Sequence, residues 1–360
     1  MPGRAPFILL LLLLSTAWDV TAGRVPMRGD ELLSIAPMMG HTNRHWRFFY
    51  RMLSQRAHVY TEMVPASQLV NAALAGPHAL HREYGVRTDE EGPVVLQLGG
   101  HDRSTLAAAA GLGVQLGYGA INLNCGCPSA AVSGGERASG AAMMREPTHV
   151  AECCAAMLDA VAAASAAHGL PPPLVTVKHR LGVADAAAFD PVADRAAGDG
   201  PALRSARRFI DAVSAVGVVR FQVHGRLALL GDFDAERPGP SLWVPGEEGG
   251  GAGGTRQKVD HSREQIKAKQ AARAATIANR QAPPLRLSVV RALAAEYPEL
   301  DLIVNGGIDS LGSVREQLLA GCAGAMVNPS SSNMSRCRYI YLYLSIYIYP
   351  SIYPSIYLLL

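Results

Sequence analysis

A cysteine on a tight turn is the sharpest chemical feature of this chain. Residues 121–129 read Ile-Asn-Leu-Asn-Cys-Gly-Cys-Pro-Ser, a short apolar strand that breaks abruptly at Cys125-Gly126-Cys127-Pro128. Gly126 reaches backbone angles closed to other residues and Pro128 keeps the residue before it out of helix, so the chain must turn. A thiol on such a turn can face a pocket. With an ordinary pKa of ~8.5 it is protonated at neutral pH and can deliver a proton. Taken alone, Cys127 reads as a small buried hydrophobe, the commonest fate of a free cysteine. Its companions shift that balance, because Glu62, Gln97, Asn124, Lys178, His224 and Asn305 also stand at the ends of apolar runs. Lys178 can neutralise negative charge on a cofactor ring. His224 can bond a phosphate-bearing chain or ring carbonyls, and Gln97 offers a donor and an acceptor to the edge of a heterocycle. Asn305-Gly306-Gly307 can bring backbone N–H groups up to phosphate oxygens, although a plain turn has the same sequence. Amide, cation and backbone cradle together suit flavin mononucleotide (FMN) better than a metal ion.

The elements that must position these groups repeat. Apolar runs at Leu32–Ala36, His58–Thr61, Val94–Leu98, Ala120–Leu123, Leu174–Val177, Val219–Val223, Leu302–Val304 and Gly324–Val327 alternate with helical patterns at Arg44–Leu53, 103–116, Glu152–Ala167, Leu203–Val216, Leu285–Glu296 and Val314–Ala320. Eight strands alternating with helices predict an α/β fold, a (β/α)8 TIM barrel, whose site lies at the C-terminal ends of the strands. The alternative, an open doubly wound sheet, calls for a glycine fingerprint after the first strand, where this chain has Pro37-Met38-Met39-Gly40. Two segments lengthen the connections, Ala184–Pro201 and residues 234–275. The second starts Gly-rich and runs into a polar helix, Arg256–Arg280, that reads as a solvated face or, more sharply, as an RNA-contacting one.

The chain has 360 residues, 49% of them apolar, and a net charge of +3, so no global basic field announces nucleic acid. The six cysteines lack a disulfide or zinc spacing. Residues 1–31 form a leader, in which Arg4, the apolar Phe7–Leu14 and Val20-Thr21-Ala22 match a signal peptide, with a misassigned start as the competing reading. Residues 328–360 form a low-complexity tail with seven of the twelve tyrosines in an uncharged Tyr/Ile repeat. Such a repeat is strand-prone, and Pro350 and Pro354 argue against a membrane span. The barrel of residues 32–327 is therefore expected to lack its last helix.

The motifs Ile35–Met39, Tyr60–Met63, Leu96–Gly100, Ile121–Ser129, Val175–Arg180, Val223-His224 and Val304–Ile308, in this order, resemble the tRNA-dihydrouridine synthases. The A-type branch is the nearest match, through Asn279-Arg280 and Pro283-Pro284-Leu285. The resemblance implies an FMN-bearing barrel that reduces uridine to dihydrouridine in the D-loop of tRNA with NADPH. It implies Cys127 as the proton donor, with Cys125 not the acid. It implies Pro37, Met38, Met39, Gln97, Lys178, His224, Asn305, Gly306 and Gly307 as FMN-binding positions, and Asn124, Arg180 and Arg280 as substrate-binding. A monomer acting on tRNA without a metal or a stable membrane partner is the matching expectation. The chain departs from the family pattern after the eighth strand, where Asn328-Pro329 replaces Gly-Arg. It departs again in the loop Gly135–Ser139, and in lacking the C-terminal helical domain that grips tRNA. A flavin barrel acting on a small pyrimidine, and an inactive truncated barrel with residual RNA binding, are the competing functions. A signal-like leader is at odds with tRNA chemistry unless it feeds an organelle (plastid or mitochondrion) by the secretory route, and the cytoplasm fits if the start is misassigned.

Overall fold

The computed structural model describes residues 31–86, 91–129, 132, 139–231, 279 and 283–328. Eight parallel strands close into a barrel: β1 (Leu33–Ile35), β2 (His58–Tyr60), β4 (Val94–Gly99), β5 (Ala120–Cys125), β6 (Leu174–Arg180), β8 (Arg220–His224), β10 (Asp301–Asn305) and β11 (Gly324–Val327). They pair in that order, and β11 returns to β1 with Leu33 opposite Ala325 and Ile35 opposite Val327. The chain is a (β/α)8 barrel. Around it lie α1 (Arg44–Leu53), α2 (Ala66–Leu74), α3 (Pro77–Tyr84), α4 (Arg103–Gln115), α5 (Pro147–Ala167), α6 (Pro191–Ala196), α7 (Gly200–Ser214), α8 (Leu287–Glu296) and α9 (Leu311–Leu319). The short strand β3 (Val64–Pro65) extends the sheet at β4, and β7 (Val183–Asp185) pairs with β9 (Ala228–Leu230) beside the barrel mouth.

Period-two alternation explains the layers. On β5, Ile121, Leu123 and Cys125 point outward into the large core between strands and helices, which also holds Leu96, Leu98, Val150, Cys153, Cys154 and Met157. Asn122 and Asn124 alternate with them and take the barrel interior. Glycine lets α4 lie flat on this sheet: a Cβ at Gly113 would come within 2.6 Å of Ile121 Cδ1 and 2.9 Å of Leu96 Cδ2. Asp102 caps α4 by accepting the Thr105 N–H at 2.8 Å, and α5 packs beside it. α5 is long and apolar enough to cross a membrane by length and composition, yet here it is a barrel helix between α4 and α7.

All eight expected strands are present. No clear sequence pattern announces α2 and α3 between the second and third barrel strands, or the order inside Ala184–Pro201, where β7 ends and α6 forms. Glu31, assigned to the leader, is buried with the barrel at 2% exposure. The rest of the leader, residues 234–275, Arg280, Pro329, the loop positions 135–138 and the tail from 330 lie outside the described residues, as does the position of a helix after β11.

Candidate active site

The turn after β5 is fixed from three sides. Asn124 Oδ1 accepts the N–H groups of Gly126 and Cys127, both at 3.0 Å. Arg180, at the end of β6, donates from Nε to the Gly126 carbonyl at 3.0 Å and from Nη1 to Leu227 O at 3.1 Å and Asn279 O at 3.5 Å. A 3-10 helix, Gly140–Arg145, closes from above: Ala141 N–H donates to Cys127 O at 2.9 Å, and Gly140 sits at φ +63° with its missing Cβ only 2.6 Å from that same oxygen. Asn124 and Arg180 thus act on the backbone of the turn. Asn279 returns the long connection to β9, accepting from Leu229 N–H at 2.7 Å and donating to Leu229 O at 2.9 Å.

The two thiols of the turn differ completely. Cys125 is fully buried against the helices near Cys153 and Cys154, and its pKa is pushed well above the ordinary thiol value, first by burial. Cys127 is partly exposed at the barrel mouth. Burial also raises its pKa, while a hydrogen bond from the Ser129 backbone and the positive charges of Arg180 and Lys178 pull the other way. The net shift is upward, so Cys127 stands as a protonated thiol at neutral pH.

Strand register brings the other rim groups alongside. Asn124 is opposite Lys178, Arg180 opposite His224, and His224 opposite Asn305. Lys178 Nζ donates to Asn305 Oδ1 at 3.1 Å, and Asn305 Nδ2 donates to Met326 O at 2.9 Å and Asn328 Oδ1 at 3.3 Å. Burial, and then the neighbouring Arg180 charge, lower the Lys178 pKa to about 7. His224 lies against Gly306, whose missing Cβ would be 3.3 Å from its Cε1 and Nε2. Gly306 and Gly307 take φ +104° and +67°, and the structure gives their lack of side chains a second reason besides phosphate approach. Leu285 packs on them, with Cδ2 2.6 Å from a Cβ at Gly307 and Cδ1 3.0 Å from one at Gly306. The Pro283–Leu285 segment is held there by Arg226, which donates to Pro283 O, and by Arg286 N–H, which donates to Gly225 O at 2.7 Å.

Gln97 lies deeper, with Nε2 donating to Asn122 Oδ1 at 2.8 Å and Oε1 accepting from Asn124 Nδ2 at 3.0 Å. Across the mouth, the Pro37–Gly40 turn is bound through Met38 N–H to Thr42 Oγ1 at 3.0 Å and through Gly40 N–H to the Glu62 carboxylate. Pro37 and Met38 are half-buried and Met39 is exposed. Among the described residues no group of three or more His, Cys, Asp or Glu side chains could hold a metal.

Residues 34–238 match the family model described as Dihydrouridine synthase (Dus), from β1 through β9. The chain belongs to the dihydrouridine synthase family. Relatives named tRNA-dihydrouridine(20/20a) synthase are 34% identical over 294 residues in Pseudomonas aeruginosa and 38% over 276 residues in Xanthomonas axonopodis pv. citri. One in Synechocystis sp. is 32% identical over 286 residues. The matches cover 81%, 77% and 79% of this chain but 66%, 60% and 64% of those proteins, so the chain spans less than two thirds of the relatives it matches. Three interior residues tied to the site of this family member, Asn122, Gln222 and Glu31, were missed in sequence. The first two carried a signal: Asn122 and Asn124, and likewise Gln222 and His224, stand two apart on a strand and so share the inward face.

Proposed function

We propose that this chain is a flavin-dependent tRNA-dihydrouridine synthase, with FMN as its resident flavin and NADPH as reductant, acting on uridine in the D-loop of tRNA. The observation that carries the reading is the partly exposed thiol of Cys127, kept protonated at the mouth of the barrel within the field of Lys178 and Arg180. The donor set suits an anionic, carbonyl-rich ring system: a lysine whose ammonium is poised near neutrality, a histidine against a two-glycine turn, and buried amides beneath them. Lys178, His224, Asn305, Gln97 and the Gly306-Gly307 backbone would hold the flavin. When bound, a reduced flavin supplies hydride to carbon 6 of a uracil.

The chain's own residues supply the rest. Cys127 Sγ gives its proton to carbon 5 of the base, a step for which a raised thiol pKa is the right setting because it keeps the acid loaded. Asn124, Arg180 and Ala141 hold the Cys127 backbone so that the thiol has one position relative to the mouth. A uracil can enter only when unstacked from its neighbours. The named relatives support the tRNA substrate.

The test is dihydrouridine content, read by mass spectrometry of nucleosides from unmodified tRNA incubated with protein, FMN and NADPH. Cys127→Ala is expected to abolish dihydrouridine formation while leaving FMN content and NADPH oxidation near parental. Cys125→Ala, on the helix-facing side, stays active. Equal product from Cys127→Ala and parent, or loss of product from Cys125→Ala alone, would refute the assignment. Free uridine in place of tRNA should give no product.

A further inference from the structure

An unbroken line of hydrogen bonds runs from the Cys127 turn to the floor of the barrel. Cys127 N–H donates to Asn124 Oδ1 at 3.0 Å, Asn124 Nδ2 to Gln97 Oε1 at 3.0 Å, and Gln97 Nε2 to Asn122 Oδ1 at 2.8 Å. Asn122 Nδ2 then donates to Gln222 Oε1 at 2.9 Å, and Gln222 Nε2 to Glu31 Oε2 at 3.1 Å. Asn124, Gln97, Asn122, Gln222 and Glu31 are all buried. Every amide accepts from the mouth side and donates toward the floor.

The two ends impose that direction. A backbone N–H can only donate and a carboxylate can only accept, so one orientation of the intervening amides satisfies every link. The reverse would set two acceptors against each other at the floor and two donors at the turn, each a buried unsatisfied group. The floor is anchored in turn. Tyr60 O–H donates to Glu31 Oε1 at 2.8 Å, Arg220 Nη1 lies 3.8 Å and His58 Nδ1 3.7 Å from Oε2, and Arg220 also grips Asp301 at 2.8 Å. Thr176 Oγ1 takes another Asn122 N–H at 2.8 Å.

We propose that Glu31, Gln222 and Asn122 are positioning residues for Cys127: their one-way amide chain decides which end of Asn124 faces the turn and so holds the thiol in register. The proposal rests on the reading of Cys127 as the proton donor. None of the three reaches the barrel mouth, and their effect passes through Asn124.

The test moves the carboxylate. Glu31→Gln puts a donor where the chain needs an acceptor: Tyr60 O–H keeps the new amide's oxygen, so its N–H faces Gln222, and the amides can answer only by turning one after another until Asn124 meets the Cys127 N–H with its own. Adding Asn122→Asp stops the reversal at position 122, which then accepts from Gln97 on one side and Gln222 on the other, restores net charge, and makes every link donor-to-acceptor again. Two quantities are measured on the purified full chain: the rate of Cys127 alkylation by iodoacetamide, resolved by peptide mass spectrometry, and kcat and KM for dihydrouridine formation. Glu31→Gln alone is expected to change the alkylation rate by about fivefold or more and to lower kcat by about tenfold or more with KM for tRNA little moved. The double variant should return both to within about threefold of the parent, a non-additivity that packing loss at two sites does not produce. Additive effects, or parental alkylation and kcat in Glu31→Gln, would overturn the proposal. If Glu31→Gln does not fold, soluble protein from the double variant supports the chain. Failure of that double variant and of Gln222→Glu/Glu31→Gln, which exchanges the last two groups of the chain, overturns it. Alkylation needs neither substrate nor cofactor. A parent inactive on tRNA that keeps the alkylation pattern would therefore fault the functional reading and leave the amide chain standing.

Discussion

Gly140→Ala should disable the site without replacing a reacting group. Gly140 sits at φ +63°, and a new Cβ would lie 2.6 Å from Cys127 O, 2.9 Å from Val132 Cγ1 and 3.3 Å from Cys127 Cβ. Ordinary contact begins near 3.4 Å, so the Cys127 carbonyl must retreat by about 0.8 Å against the Ala141 N–H that holds it at 2.9 Å. A left-handed alanine adds roughly 1–2 kcal/mol, and disturbing the Ala141 bond about another 1 kcal/mol. Stability should therefore fall by about 2–3 kcal/mol, well within what a large barrel tolerates. Activity should fall much further, because a misplacement of about 1 Å at a reacting group can cost on the order of a hundredfold. The assay pairs urea unfolding with dihydrouridine formation on tRNA, and FMN binding serves as a control expected to hold. Parental kcat in a folded Gly140→Ala variant would refute the claim that this glycine sets the position of Cys127.

Three further outcomes follow from buried groups. Lys178, with its pKa near 7, loses charge as pH rises through neutrality; the parent's advantage over Lys178→Met in FMN affinity should be about tenfold or more at pH 6 and shrink toward pH 8.5, and a pH-independent ratio would count against it. His179 is fully buried between Phe209 and Phe221, donates from Nδ1 to Arg180 O at 2.7 Å, and has its pKa lowered to about 4, first by burial. The unfolded chain binds a proton there below about 6.5 that the folded chain refuses, so stability is full above 6.5 and falls as pH drops toward 4, by up to roughly 3 kcal/mol. His179→Phe should flatten that limb of the urea-midpoint profile, and an unchanged slope would refute the assignment. Gly324→Ala would drive a Cβ into the Glu31 carbonyl oxygen at the β11–β1 seam, and the expected result is loss of soluble folded protein; a parental melting temperature would show that the seam can move.

Much of this was legible because a barrel writes its strands as apolar runs and its site as polar strand ends. The eight strands and the cluster of Gln97, Asn124, Cys127, Lys178, His224 and Asn305 came from that pattern. The helices α2 and α3 were not legible: Ala66–Leu74 carries no charge and Pro77–Tyr84 starts on a proline, so neither shows a clean 3.6-residue alternation. The partners of Gly306 and Gly307 were hidden for a different reason. Leu285 stands some twenty residues away in the chain, and only the fold brings it onto them. Glu31 was hidden because a lone acid at the foot of a leader-like segment carries no sign of burial until Tyr60, Gln222 and Arg220 surround it.

The seam between β11 and β1 has a consequence for synthesis. It joins residues about 290 apart, and at ~5–20 residues per second the ribosome delivers the second partner roughly 15 to 60 s after the first. Until then the earlier barrel strands stand as an open sheet whose two outer strands offer unpaired backbone groups to any passing chain. The cell must shelter that nascent sheet, so demand for chaperone capacity should peak just before Gly324–Val327 leaves the exit tunnel.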